Sequence, residues 1–307
     1  DVDNVEAVFC VAESMRQTQD HTASPSIPLR RTVCSLDYIE EQIRLWLWKV
    51  YQRCPLFANP NEFSSEPYDR LVEILNRADI APRTVAITTN YDIIFEYACW
   101  KNGLTCDYGL RAEELRLQRG GDRYAQPCTG GSPSVFKLHG SINFFTGASH
   151  LHDRIGIAND VSNKGDRIGL SPMKKQRPRI FALDAIWELR ARYSSHLAPA
   201  IIPPTYSKLT EEEWVRETWS NAHEALRKAQ GVVFIGYSFP PSDGFMESFV
   251  QAALVARGDK PLQVAVVNPC EEVHARIKRI FKDAEDWPPM KFSESIEHIE
   301  AFVHELK

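Results

Sequence analysis

Four short polar stretches in the 307-residue chain carry side chains that could orient a ligand or accept a proton. Each follows an apolar run, and they read Thr89-Asn90-Tyr91-Asp92, His139-Gly140-Ser141, Gly236-Tyr237-Ser238 and Asn268-Pro269. A histidine titrates near neutral pH, so His139 is a candidate general base. The amide of Asn90 can orient a hydroxyl group or a water molecule. These residue types suit a reaction that depends on orientation and electrostatics more than on a strong acid.

Each stretch also has a purely structural interpretation. Asn90 and Asp92 are common turn and helix-capping residues, and Gly236 and Asn268 are frequent in turns. A lone histidine such as His139 is more often a hydrogen-bonded loop residue than a base. The four stretches together, in one order along the chain, are less expected by chance than any one of them.

The apolar runs that lead into these stretches predict buried strands. They are TVAIT (84–88), SVFKLHG (134–140), GVVFIGYS (231–238) and LQVAVVNP (262–269), and PAIIPP (199–204) is a candidate edge strand. Helical patterns lie at 68–78, after Asn90, and at 215–229, 244–256, 271–282 and 295–306. Continuous apolar strands that alternate with helices indicate an α/β fold, a Rossmann-like parallel sheet with helices on both faces. Ligands bind such sheets beyond the carboxyl ends of the strands, where the four polar stretches lie.

The residue pattern changes near residue 83. Residues 1–83 predict an N-terminal helical part, which could continue the core from residues upstream of Asp1, and residues 84–307 predict the Rossmann-like core. Residues 147–198 fit the alternation poorly, so we expect a helical and loop insertion there. Between residues 164 and 192 its basic residues outnumber its acidic ones; they are Lys164, Arg167, Lys174, Lys175, Arg177, Arg179, Arg190 and Arg192. A solvated surface and an anion or partner site both fit that charge.

Composition disfavours several functional classes. The formal net charge of −5 disfavours direct binding of nucleic acid, which favours a basic surface. No apolar run is long enough to cross a membrane, and the acidic start of the chain does not resemble a signal peptide. The seven cysteines form no C-x-x-C pair, and no further ligands are spaced to join His150 and His152 in a metal site. We therefore expect a cytoplasmic protein with reduced thiols and no zinc.

The motifs T-T-N-Y-D (88–92), K-L-H-G-S (137–141), F-I-G-Y-S-F-P-P-S-D (234–243) and V-V-N-P (266–269) resemble those of the sirtuin-like family. Sirtuins proper read T-Q-N-x-D, H-G, G-T-S and a strand that ends in I-N. The resemblance covers residues 84–270 and is strongest to the divergent bacterial NAD hydrolases of antiphage defence. It implies a Rossmann-like core and an NAD⁺ hydrolase that releases nicotinamide and ADP-ribose.

The resemblance also implies a role for each matching position. Asn90 would orient the ribose or the attacking water, and His139 would act as general base. The residues that would contact the cofactor are Thr89, Asp92 at the carboxamide, Gly236 by close backbone approach, Ser238 at ribose or phosphate, and Asn268 at the adenosine ribose.

Two departures from the family pattern bear on function. Residues 140–235 contain no cysteine, so the four-cysteine zinc module of sirtuin deacylases is absent from that interval. No glycine-rich pyrophosphate loop occurs in 1–83, which leaves open whether that loop lies upstream. The alternatives are a non-catalytic nucleotide-binding or assembly module and an NAD-dependent protein deacylase or ADP-ribosyltransferase.

An enzyme that destroys a central cofactor must be held inactive, so we expect a homo-oligomer, a separate regulatory subunit, or both. The chain has no G-x-x-x-x-G-K-[ST] loop, so a partner ATPase would be a separate chain.

Overall fold

The computed structural model describes residues 66–110, 131–146, 198–202, 213–239 and 244–306, together with strands at 112–115, 123–124, 155–160 and 177–178. The helical prediction for residues 1–65, the basic residues Lys164 to Lys175 and the helix expected over 183–194 lie outside the described residues.

The described helices begin and end close to the sequence predictions. They are α1 (Glu66–Arg77), α2 (Ile94–Lys101), α3 (Glu213–Lys228), α4 (Gly244–Arg257), α5 (Glu271–Ile280) and α6 (Ile296–Glu305). The strands are β1 (Val85–Thr88), β2 (Ala112–Leu115), β3 (Arg123–Tyr124), β4 (Ser134–Lys137), β5 (Gly140–Thr146), β6 (Ile155–Asp160), β7 (Arg177–Pro178), β8 (Ala198–Ile201), β9 (Gly231–Ile235) and β10 (Gln263–Val267).

The four strands that lead into the polar stretches form two parallel pairs. β1 pairs with β4, and Thr88 lies opposite Lys137 at the carboxyl end of that pair. β9 pairs with β10, and Ile235 lies opposite Val267. The parallel direction in both pairs confirms the Rossmann-like α/β prediction.

Helices cover the strand pairs on two sides. One hydrophobic cluster joins buried residues of both pairs to α3 and α4; it includes Val135, Phe136, Val264, Val266, Trp219 and Val250. A second cluster packs α1 and α6 against β9 and β10; it includes Ile74, Leu75, Val267, Ile299 and Val303. The two pairs therefore share one apolar core although they are separate ladders.

β1 and β9 are less buried than the strands they pair with. Val85 and Ile87 are 37% and 36% exposed, whereas Val135 of β4 is fully buried. The carbonyls of Thr84 and Thr88 accept hydrogen bonds from the β4 side, so the backbone groups of Val85 and Ile87 point away from β4. Over the described residues no ladder joins the pairs, so the one continuous sheet expected from sequence is resolved here as two.

A third, mixed sheet has the strand order β3-β2-β6-β5-β8, with β7 paired to β6. The predicted strand over 134–140 ends at Lys137 and turns into β5 at Gly140, where the chain changes sheets. β8 is the edge strand predicted at PAIIPP, and it runs antiparallel to β5. The insertion expected to be helix and loop also contributes β6 and β7, which the sequence analysis did not predict.

Gly140 is the residue at which the chain changes sheets, and its conformation requires glycine. Its φ is +78°, and an added Cβ would lie 1.9 Å from the carbonyl oxygen of Ala200. We expect Gly140→Ala to lower the free energy of unfolding by about 2 kcal/mol or more, because backbone strain adds to this clash. Urea unfolding measures the loss.

The matched control is Gly258→Ala. Gly258 follows α4 with φ +68°, and no described atom lies within 4 Å of its Cβ position. Strain without a clash costs about 1 kcal/mol. Equal losses in the two variants would contradict the clash at Gly140.

Candidate functional site

Asn90 and His139 leave neighbouring parallel strands at the same level. Thr88 lies opposite Lys137, and each candidate residue comes two positions after that pair. The Leu138 N–H donates to the Thr88 carbonyl over 2.9 Å, which extends the ladder up to the residue before His139. The Asn90 N–H donates to the Thr88 hydroxyl over 3.0 Å, so the chain turns out of β1 there and leaves Asn90 exposed.

Tyr91 ties the loop after β1 to the turn that begins β5. Its carbonyl accepts from the Ile142 N–H at 3.0 Å and from the Ser141 hydroxyl at 3.2 Å. Its phenol donates to the Ile202 carbonyl over 2.8 Å, and its ring centroid lies 6.3 Å from that of His139. Tyr91 therefore holds the two loops that carry Asn90 and His139 against each other.

His139 is 3% exposed. Its carbonyl accepts from the Ile202 N–H at 2.8 Å, so β8 fixes the backbone beside the imidazole. The His139 side chain is therefore nearly enclosed by protein.

Asp92 begins α2. Its Oδ1 accepts the Ile94 N–H over 3.0 Å, the contact of a capping turn, and its backbone carbonyl accepts from the Lys137 ammonium. Thr89 is half-buried between the end of β1 and Asn90. Thr89 and Asp92 thus lie in the same short loop as Asn90.

Gly236 and Ser238 follow β9. The Gly236 N–H donates to the Val267 carbonyl over 2.9 Å, and φ at this exposed glycine is +69°. No described atom lies within 4 Å of where its Cβ would be, so the backbone here is open to a ligand. Ser238 is half-buried, and its carbonyl accepts from Arg276 over 2.7 Å.

Asn268 directly follows β10 and is 7% exposed. Its Oδ1 accepts the Cys270 N–H at 2.9 Å, which shapes the turn into α5. Its backbone carbonyl contacts the His274 Nε2 at 2.8 Å. The side-chain oxygen of Asn268 therefore already has a structural role, as the turn interpretation of this residue predicted.

A buried ion pair that the sequence motifs did not predict lies beneath the first loop. Lys137 Nζ lies 3.2 Å from Glu96 Oε1, and the two side chains are 1% and 2% exposed. The buried Oε1 atom of Glu96 accepts no hydrogen bond of regular geometry from the described residues, so the contact with Lys137 is an ion pair. Burial raises the pKa of Glu96, and burial together with the nearby Asp92 and Glu96 charges raises the pKa of Tyr68 to about 12. The signal was present, since a lysine in an apolar strand and a glutamate in an apolar helix both need a partner.

Arg276 of α5 was also missed, because it has the spacing of an ordinary helix-surface residue. Its Nη1 donates to the carbonyls of Ser238 and Phe239, both at 2.7 Å. Phe239 has a φ of +49°, a conformation that non-glycine residues rarely adopt. The guanidinium therefore holds the loop after β9 in a strained shape.

We expect Arg276→Met to lower the free energy of unfolding by about 1–3 kcal/mol, because two carbonyls lose a charged donor. Chemical denaturation measures the loss. Arg279→Met is the matched control, since Arg279 is exposed on the same helix and should change stability by less than about 0.5 kcal/mol. Equal effects at positions 276 and 279 would argue against the loop contact.

Among the residues that the structure describes, no group of three or more His, Cys, Asp or Glu side chains is arranged to hold a metal ion. No helix in the described part is long and apolar enough to cross a membrane.

No curated protein matches the chain. The family model of the SIR2-like domain matches residues 84–286. This range contains both parallel strand pairs and all seven candidate site residues. The match confirms the sirtuin-like resemblance at the level of the family and spans well over half of the sequence. The chain therefore belongs to the SIR2-like domain family.

Proposed function

We propose that the chain hydrolyses the nicotinamide–ribose bond of NAD⁺ and releases nicotinamide and ADP-ribose. One observation carries the proposal: within the family match, Asn90 and His139 follow a paired position on two neighbouring parallel strands. Ligands of open α/β sheets bind at such strand ends.

In the proposed reaction, water attacks the anomeric carbon of the nicotinamide ribose. A C–O bond forms, the C–N bond breaks, and its electron pair neutralises the ring nitrogen of nicotinamide. His139 accepts the proton that water loses, and Asn90 orients the ribose or the water. The transition state resembles an oxocarbenium ion, so orientation and electrostatics supply most of the rate.

A non-catalytic nucleotide-binding module is the second candidate, favoured by one observation. His139 is 3% exposed, and a general base must come within about 2.6–3.2 Å of the proton it accepts, or act through one water. A ring that stays this buried when NAD⁺ is bound would support binding without turnover.

Incubation of the purified protein with NAD⁺, followed by chromatography and intact mass, separates the candidates. Free ADP-ribose and nicotinamide in equal amounts would support hydrolysis. ADP-ribose attached to protein would indicate transfer instead. Saturable NAD⁺ binding by calorimetry without product would indicate the binding module. Either of the last two outcomes would overturn the proposal.

We further propose that this activity is the regulated effector of an antiphage system in the cytoplasm. Loss of NAD⁺ is lethal to a cell, so an oligomer or a regulatory subunit, such as a separate ATPase, must hold the enzyme inactive until infection. Cells that carry the parent should lose NAD⁺ after phage infection, and cells that carry His139→Ala should not. Equal NAD⁺ levels in both strains would remove the defence role.

Gly236 gives a test of cofactor approach that does not touch the reacting groups. Its Cβ position is open, so Gly236→Ala should cost only about 1 kcal/mol of stability through backbone strain. The added methyl group would project toward a ligand that approaches the backbone closely, so we expect KM for NAD⁺ to rise about tenfold, the usual effect of a lost contact of about 1.4 kcal/mol. Initial rates over a range of NAD⁺ concentrations measure it, and an unchanged KM would place the cofactor elsewhere.

A further inference from the structure

Lys137 is a lysine in an unusual environment. It ends β4, its side chain is 1% exposed, and it is among the largest fully buried side chains in the described part of the chain. Lysine is almost never fully buried unless it is paired, because removal of an ammonium from water is costly. A neutral side chain would fill this volume at lower cost, so the charge requires an explanation.

The ammonium makes two contacts on the segment that follows β1. It donates to the backbone carbonyl of Asp92 and lies 3.2 Å from Glu96 Oε1 in the first turn of α2. The carboxylate of Asp92 accepts the Ile94 N–H at 3.0 Å at the start of the same helix. Lys137 therefore joins the end of β4 to the start of α2 across the loop between them.

That loop carries Asn90, and its adjacent carbonyls are held from two directions. Ser141 and Ile142 donate to the Tyr91 carbonyl, and Lys137 donates to the Asp92 carbonyl. Both carbonyls lie within two positions of Asn90, whose own side chain is exposed. Loss of the second contact would free the peptide planes that set the direction of the Asn90 and Asp92 side chains.

The same lysine is the last residue of β4. It lies two positions before His139 and opposite Thr88 of β1. Lys137 is therefore close in the chain to His139, and its ammonium binds the backbone of the loop that carries Asn90. A neutral side chain of the same length would fill the space but could not donate to the Asp92 carbonyl.

We propose that Lys137 is a positioning residue, whose buried ammonium fixes the loop between β1 and α2 so that Asn90 and Asp92 face the substrate. Its effect on turnover rests on the proposed NAD⁺ hydrolysis; its effect on the loop does not.

The test compares Lys137→Met with the parent by two measurements. Without NAD⁺, hydrogen exchange at the amides of residues 91–95 should accelerate about tenfold more than exchange in α3 and β10, which reports the loss of global stability. With NAD⁺, kcat per folded molecule should fall about 10- to 100-fold with KM within about twofold, because a misdirected group fails mainly in the transition state. Lys101→Met on the outer surface of α2 is the matched control, since Lys101 pairs with Asp69 near the surface, and it should change neither readout.

Where Lys137→Met fails to fold, the double variant Lys137→Met/Glu96→Met removes both buried charges and keeps the volume, and the same two measurements apply. Exchange at residues 91–95 that accelerates no more than exchange in α3 and β10 overturns the proposal, as does a kcat within twofold of the parent. Faster loop exchange in a protein whose parent does not cleave NAD⁺ leaves the loop role in place and removes the proposed function, so the two failures are distinguishable.

Discussion

Asn90→Ala and His139→Ala should each lower the rate of NAD⁺ hydrolysis by about 100-fold or more, the usual scale for loss of a positioning group or a general base. Asn90 is exposed two positions after β1, so its truncation should leave the free energy of unfolding within about 0.5 kcal/mol of the parent. His139 is 3% exposed, so its truncation should also cost some stability. Activity is therefore measured per folded molecule, with the folded fraction read by circular dichroism.

The double variant Asn90→Ala/His139→Ala decides whether the two residues act as a unit. If they orient and deprotonate the same water, the double variant should be little slower than the slower single one, because the second loss removes a group that no longer works. Independent roles would multiply the two losses.

His223→Ala is the control for this series. His223 lies within α3, and its ring is 5.8 Å from that of Phe249 on α4. Its hydrolysis rate should match that of the parent. Full activity in either Asn90→Ala or His139→Ala would remove the catalytic assignment and most of the case for an enzyme.

The parallel strands were predictable because their burial leaves a direct trace in the sequence. Residues such as Val264, Ala265, Val266 and Val267 are nearly fully buried, so their run is apolar without alternation. Polar residues then follow each run. Because Thr88 is paired with Lys137, the stretches that contain Asn90 and His139 begin at the same end of the β1–β4 pair.

The mixed sheet could not be predicted in the same way, because its pairing is non-local. β5 follows β4 after two residues, so the sequence gives no break between them apart from Gly140. The need for glycine there arises from Ala200 on β8, a residue distant in the chain. Only the folded structure brings those two positions together.

The loop contacts of Arg276 and Tyr91 were hidden for a related reason. A surface arginine and a loop tyrosine have ordinary sequence contexts, and their acceptors are backbone carbonyls at Ser238, Phe239 and Ile202, which any residue type carries. Lys137 and Glu96 differ, because a charge within an apolar segment signals a buried partner even when the partner cannot be named.

The pair Lys137–Glu96 should show the largest stability effects in the described part of the chain. Lys137→Met leaves a carboxylate in the core without its ammonium, and Glu96→Gln leaves the ammonium without its carboxylate. Each single variant should lose about 3–5 kcal/mol, the usual cost of breaking a buried pair. Lys137→Met/Glu96→Met should recover most of that loss, since removal of both charges leaves neither uncompensated.

The pH dependence of the free energy of unfolding distinguishes a lost charge at the Lys137–Glu96 pair from a packing defect. Burial raises the pKa of Glu96 above its ordinary value of 4.5, and the Lys137 charge opposes that rise. Between pH 4.5 and that raised pKa the folded state holds a proton that the unfolded chain has released, so this group's contribution to stability falls as the pH rises through that interval. In Lys137→Met the pKa of Glu96 should rise further, so the loss relative to the parent should be larger at pH 8 than at pH 5. Urea unfolding at both pH values measures it, with Lys101→Met as the exposed control, whose loss should be small at each pH. A loss in Lys137→Met that is equal at the two pH values would indicate a packing defect, and the buried charge would then not be what the core requires at this position.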